Sequence, residues 1–140
     1  MDDGTKYVKS VGRAVSLLMI MAQAGQELSL TELSTKANTP VSTVHRLVNT
    51  LMAYDLVEQN QENGKYRLGL EVLHLGTAVL HQLDLRQEAL PYMKELAEIS
   101  GETVNLCVLD GHEVVYIEKV EGSSSLRVFA RIGHRAPVYC

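Results

Sequence analysis

At 140 residues, with 46% hydrophobic and 21% charged side chains, the chain is long enough for one ordinary domain or two small ones and too apolar for disorder. No run of 18 apolar residues occurs, which excludes a membrane-spanning helix, and two widely spaced cysteines fit a reduced, cytoplasmic setting better than a disulfide scaffold. The formal charge of −4 is uneven: residues 1–70 carry seven Lys/Arg against seven Asp/Glu, whereas residues 71–140 carry six against ten.

Met1–Tyr7 reads as a polar arm. Ser10 is placed to cap a helix over Val11–Ala24, where Val11, Ala14, Val15, Leu18 and Ala22 keep helical spacing and Gly25 is the stop. Ser29-Leu30-Thr31-Glu32 has the form of a capping box for a second helix, Leu30–Ala37, with Leu30, Leu33 and Ala37 on one stripe. Asn38-Thr39-Pro40 is the turn, in which Thr39 can cap and Pro40 suits the first position of a third helix, Pro40–Tyr54. Val44, Leu47, Val48 and Leu51 share one face of that helix. Leu56–Asn60 and Lys65–Leu68 read as strands around an Asn63-Gly64 hairpin signal. Three helices and a hairpin make a winged helix-turn-helix, residues 8–68.

Gly69–Leu83 is apolar on more than one side: Val72, Leu75, Val79 and Leu83 form a stripe, and Leu73, Ala78 and Leu80 spread beyond it. Such a helix must be covered twice. It is read as a linker and dimer contact, residues 69–83. Asp84-Leu85-Arg86-Gln87 repeats the capping-box form and opens a helix to Ser100, with Gly101 as its stop and Pro91 expected to kink it. Strands come next at Thr103–Leu109, Val114–Val120 and Leu126–Ile132, the first two joined by Asp110-Gly111. Residues 84–140 are thus the start of an α+β domain, unfinished because about 55 residues bury little core and the last strand leaves an edge uncovered.

The outward side of the third helix carries Ser42, Thr43, His45, Arg46 and Asn49. Arginine can pair bidentately with guanine and asparagine with adenine, while short hydroxyl side chains let a helix approach phosphates and base edges. These five are therefore the candidate major-groove contacts, Arg46 meeting either a base edge or a phosphate. Lys65 and Arg67, two apart on a strand, share a face and can reach one backbone or minor groove, or else protect an exposed edge. Thr31, in the first turn of the second helix, is a candidate phosphate contact, whereas Ser29 is read as a cap. Double-stranded DNA is the implied partner. A protein-interaction module is the alternative, since winged helices also dock proteins and the net charge permits it.

No catalytic constellation is visible, no cofactor is implied, and no side chains have metal-ligand spacing. His74 and His81 lie two turns apart, too far to share one ion without a bend, and read as surface or interface residues. Neither Cys107 nor Cys140 has a nucleophile's surroundings, despite His112 and His134 nearby in sequence. Cys107 reads as a small buried hydrophobe.

TELSTKANTPVSTVHRLVNTL, the hairpin GKYRLG, then GETVNL, YIEKVEG and RIGHRAPVYC in that order resemble the IclR family of bacterial transcription regulators. The resemblance runs from about Val8 to Cys140. It implies a winged helix-turn-helix, a linker helix and a GAF/profilin-like effector domain, assembled as a homodimer or tetramer. It further implies a repressor of a catabolic operon that binds an inverted repeat and responds to a small molecule, a sugar acid or other carboxylate. Val128, Ala130 and Arg131 fall where such domains bring a strand and loop near the ligand, and Arg131 or Arg135 can attract an anion. Family members continue well past Cys140, so the resemblance implies a fragment or a truncated product with an incomplete effector domain.

Overall fold

In a computed structural model, residues 7–124 and 131–139 are described. Among these residues, five helices and two small antiparallel sheets occur in the order α1 (Lys9–Ala24), α2 (Leu30–Ala37), α3 (Val41–Ala53), β1 (Val57–Gln59), β2 (Tyr66–Leu68), α4 (Leu70–His81), α5 (Asp84–Ser100), β3 (Val104–Asp110), β4 (Glu113–Val120) and β5 (Arg135–Pro137). The chain divides between Gly76 and Thr77, within α4, into two compact units.

The first unit is organised by six side chains that are at most 2% exposed: Leu17, Leu28, Leu33, Val44, Val48 and Val57. At about 1.5–3 kcal/mol for each aliphatic side chain removed from water, this cluster is what holds α1, α2, α3 and the hairpin together. For α2 and the inner face of α3 the sequence periodicity picks the same residues. For α1 it does not. Val11 and Val15 are 59% and 48% exposed and Ala22 is exposed, whereas Leu17 and Met21 are the buried pair. The helix is apolar on two sides, so spacing alone allows both registers, and packing on α2 and α3 selects the Leu17/Met21 side.

Local polar chemistry sets the helix ends unevenly. At α2 the capping box forms: Glu32 N–H donates to Ser29 Oγ (3.2 Å) and Ser29 N–H to a Glu32 carboxylate oxygen (2.7 Å). That donation holds the Glu32 carboxyl below its usual range. Replacing Ser29 by alanine is expected to cost about 1 kcal/mol near pH 7, read as a lower urea midpoint. The variant keeps that backbone donation and loses the one from Ser29 Oγ to the Glu32 carboxylate (2.8 Å), which also lowers the Glu32 pKa. The contribution of the lost bond is present above the usual carboxylate range and disappears as pH falls, so that part of the variant's deficit should shrink in acid.

Three other expected caps are absent. Ser10 lies inside α1, whose N-cap is Val8. Thr39 turns back to donate to the Ala37 carbonyl (3.0 Å), leaving Pro40 as the N-cap of α3 without a side-chain bond. Asp84 is already helical, so Leu83 is the N-cap of α5 and the second capping box is not made.

The hairpin strands are shorter than expected and pair Val57 with Leu68 and Gln59 with Tyr66. Leu28 adds a bridge to Tyr66, each accepting from the other's N–H (2.9 and 2.8 Å), which ties the α1–α2 loop to the hairpin. Gly69 ends the hairpin. Its N–H donates to the Leu56 carbonyl (2.9 Å), and a side chain there would meet the Asp55 backbone. The next helix, α4, buries no residue: Leu70, Leu73, Leu75 and Val79 are 53–79% exposed.

In the second unit α5 packs Met93 and Ala97 on the β3-β4 hairpin and leaves Leu85, Tyr92, Leu96 and Ile99 exposed. The helix continues through Pro91. Register shifts between Leu106 and Cys107, which pair with Glu118 and Tyr116, so Ile117 is an extra residue on β4. The bulge turns two consecutive side chains, Ile117 and Glu118, inward at 3% and 7% exposure. Glu118 is met by Arg86 of α5 at 2.8 Å. Of the expected strand Leu126–Ile132, residues 126–130 lie outside the described residues, and Arg131 and Ile132 are not in a strand. Among the described residues the third strand of this sheet is Arg135–Pro137, paired with Val115–Glu113. Gly133 N–H donates to the Tyr116 carbonyl (2.8 Å) and Tyr116 N–H to the His134 carbonyl (3.0 Å), bonds that set the register of β5.

Candidate nucleic-acid interface

Helix α3 is presented by a turn that its own polar groups fix. Asn38 takes the left-handed conformation (φ 45°), Ser34 Oγ donates to the Thr39 carbonyl (2.7 Å), and the Thr39 N–H donates to the Ser34 carbonyl (3.1 Å). With Val44 and Val48 wholly buried, the opposite side of the helix must face out. Ser42, His45, Arg46 and Asn49 are exposed there, and Thr43 is half-buried. Asn49 Nδ2 lies 3.5 Å from His45 Nε2, one turn apart. Thr50 Oγ donates to the Arg46 carbonyl (3.0 Å) and so leaves the guanidinium unengaged by that bond. Arg46, Thr43 and Thr50 border an open groove of about 450 Å³ whose far wall is Ser10, Val11 and Ala14 of α1. Thr31 is exposed in the first turn of α2.

Tyr66 is buried at 5% exposure, so Lys65 and Arg67 on either side of it share the opposite face of the hairpin, but their partners differ. Arg67 donates from Nε to Glu58 (2.5 Å) and from Nη1 to Glu27 (3.2 Å), and Glu58 foremost holds its guanidinium above the usual value. Lys65 is half-buried and bonded to neither carboxylate, although its charge helps to lower Glu32. Arg67 is thus a brace within the hairpin and not an open cation beside Lys65. Glu27 and Glu58 had no sequence signal. Glu27 lies 33 to 40 residues from the partners it finds, beyond any local pattern.

The candidates of the second unit are dispersed. Val128 and Ala130 lie outside the described residues. Arg131 is exposed, and its carbonyl accepts from His134 N–H (2.9 Å). Arg135 is held by Glu113 and Asp110 at 2.7 Å each, so it is not the open anion attractor expected of it. Cys107 is half-buried, and burial pushes its thiol up, away from a nucleophile's range. His74 is exposed with Nδ1 3.0 Å from Glu71. Among the described residues no three His, Cys, Asp or Glu side chains converge as a metal site.

Comparison with known proteins aligns with this arrangement in both units. The IclR helix-turn-helix domain matches residues 10–61, and the bacterial transcriptional regulator IclR C-terminal domain matches residues 77–140. The HTH-type transcriptional regulator XynR of Escherichia coli (strain K12) is 40% identical over 132 residues, 94% of this chain and 52% of the relative. The HTH-type transcriptional repressor AllR of the same strain is 34% identical over 134 residues, 96% of this chain and 49% of its own length. Among solved structures, an IclR family transcriptional regulator from Brucella abortus superposes with a TM-score of 0.79 at 28% identity, covering 99% of this chain and 52% of that one. An IclR homolog from Microbacterium hydrocarbonoxydans, complexed with 4-hydroxybenzoate, gives 0.80 at 28% identity, with coverages of 93% and 54%. The chain spans about half the length of these relatives.

Proposed function

The chain belongs to the IclR family of transcriptional regulators, and from that premise we propose that it is a metabolite-responsive repressor that binds an inverted-repeat operator as a homodimer or tetramer in the cytoplasm. The observation that carries this reading is α3, which buries Val44 and Val48 and turns Ser42, His45, Arg46 and Asn49 outward immediately after the helix-turn-helix turn. These four, with Thr43 in the major groove and Thr31 and Lys65 on flanking phosphates, are the assigned contacts. Assembly is supported by α4, an apolar helix that leaves Leu70, Leu73, Leu75 and Val79 in water when the chain is alone.

In the second unit Val128, Ala130 and Arg131 are assigned to a small carboxylate such as a sugar acid. A relative complexed with 4-hydroxybenzoate, itself a carboxylate, supports that class. The effector would act by binding one operator-competent spacing better than another, a coupling of about 1–3 kcal/mol.

Selection of duplexes from a random library by the full chain tests the reading. An enriched inverted repeat with half-sites about 34 Å apart, or a multiple of that, is the expected result. Binding that shows neither enrichment nor a steep salt dependence would instead favour a protein-docking role. Dimerisation is tested by Val79→Asp in α4. Sedimentation should show the dimer dissociation constant raised about tenfold or more, equivalent to about 1.4 kcal/mol. An unchanged value removes α4 from the interface.

A further inference from the structure

Glu27 belongs to no helix or strand, yet its carboxylate is a point of convergence. Asn60 Nδ2 donates to both of its oxygens (3.1 and 3.0 Å), Asn63 Nδ2 donates at 2.8 Å, and Arg67 Nη1 at 3.2 Å. The side chain is only 23% exposed. Each asparagine then uses its own oxygen on the loop backbone: Asn60 Oδ1 accepts from Glu62 N–H and Asn63 Oδ1 from Lys65 N–H, both at 2.9 Å. Gly64, at φ 69°, closes the loop by donating to the Asn60 carbonyl (2.8 Å). The conformation of the hairpin loop is therefore set by amides that a single anion orients. Hydrogen bonds from all three donors, Asn63 foremost, hold that carboxyl below its usual range, so it stays ionised at neutral pH.

Resting on the reading of this surface as a DNA-binding one, we propose that Glu27 is the positioning residue of the wing. It fixes the hairpin loop in one conformation for the duplex and, with Glu58, keeps Arg67 as an internal brace, so that the wing's phosphate contact falls to Lys65. A guanidinium already paired with two carboxylates offers a phosphate little net charge. Reaching one would require breaking charge-assisted bonds and bringing two carboxylates towards the backbone. Lys65 carries neither burden.

Two measurements on the full chain test this separately. In the free protein, hydrogen exchange at the Gly64 and Lys65 amides is expected to accelerate about tenfold or more in Glu27→Ala. Glu27→Gln, which keeps an acceptor for Asn63, should restore most of the protection. Unchanged exchange in Glu27→Ala overturns the positioning role. The second measurement is the salt dependence of binding to a fluorescein-labelled random duplex of about 24 base pairs, where Lys65→Ala should lower the slope by about one and Arg67→Ala should leave it unchanged. A drop of about one for Arg67→Ala overturns the brace assignment. If the unaltered chain binds no duplex, the DNA-binding reading falls together with the phosphate half of this proposal. Amide exchange would still decide whether Glu27 holds the loop.

Discussion

Gly69→Ala is expected to destabilise the helix-turn-helix unit by about 3 kcal/mol or more, a cost as large as emptying a core site. A methyl group there would sit 2.1 Å from the Asp55 carbonyl oxygen and 2.9 Å from its carbon. Both are backbone atoms, so no rotamer change relieves the overlap. Asp55 has little freedom to retreat, because it ends α3 in the left-handed conformation (φ 55°). Its N–H donates to the Met52 carbonyl (3.0 Å), and the next N–H, of Leu56, donates to the Leu51 carbonyl (3.0 Å). Moving it would pull on Val57, which is 2% exposed in the core. For a unit of this size such a loss lowers the melting temperature by about 12 °C or more, readable by circular dichroism. Gly64→Ala is the control: it has the cost of a positive φ, but its nearest neighbour is a flexible side-chain end 3.8 Å away. Equal melting of Gly69→Ala and the unaltered chain would show that the junction yields.

Arg46→Ala should leave stability alone and change recognition. The side chain is exposed, and the bond that Thr50 makes is to the Arg46 carbonyl, which alanine retains. Surface changes of this kind stay within about 0.5 kcal/mol of the parent in stability. Loss of a bidentate base contact costs about 1–3 kcal/mol of discrimination and relaxes preference at one base pair. The operator selected by the unaltered chain, titrated against single-site variants, reads this directly. A uniform weakening across sequences with a shallower salt slope would move Arg46 to a phosphate. Unchanged affinity and ranking would remove it from the interface.

How much of this was legible depended on the range of the interaction. The bounds of α2 and its capping box are local, set within four residues, and the sequence pattern locates both. The burial of Val44, Val48 and Leu51, and with it the outward turn of the opposite side chains, comes from helical spacing because only one side of α3 is apolar. In α1 two sides are apolar, and only contact with the other helices distinguishes them. Ser10 and Asp84 have the composition of caps, but a cap needs extended backbone at that residue, and the helices begin at Lys9 and Asp84. Glu27 was invisible for a different reason. Carboxylates are common, and nothing near it in sequence indicates that an asparagine pair and an arginine will fold onto it.

The strand bulge at Ile117 leaves a lasting mark on the second unit. By turning Glu118 inward it places a carboxylate that pairs with Arg86, on a different element, at 2.8 Å and accepts from its neighbour's N–H, of Lys119 (2.9 Å). A lineage that lost the arginine alone would keep a stranded anion, and one that lost the glutamate alone would keep a partly covered cation. Neither position is therefore free to drift by itself. The tolerated route is joint replacement by an apolar pair of similar volume, so two sites 32 residues apart are inherited as one character.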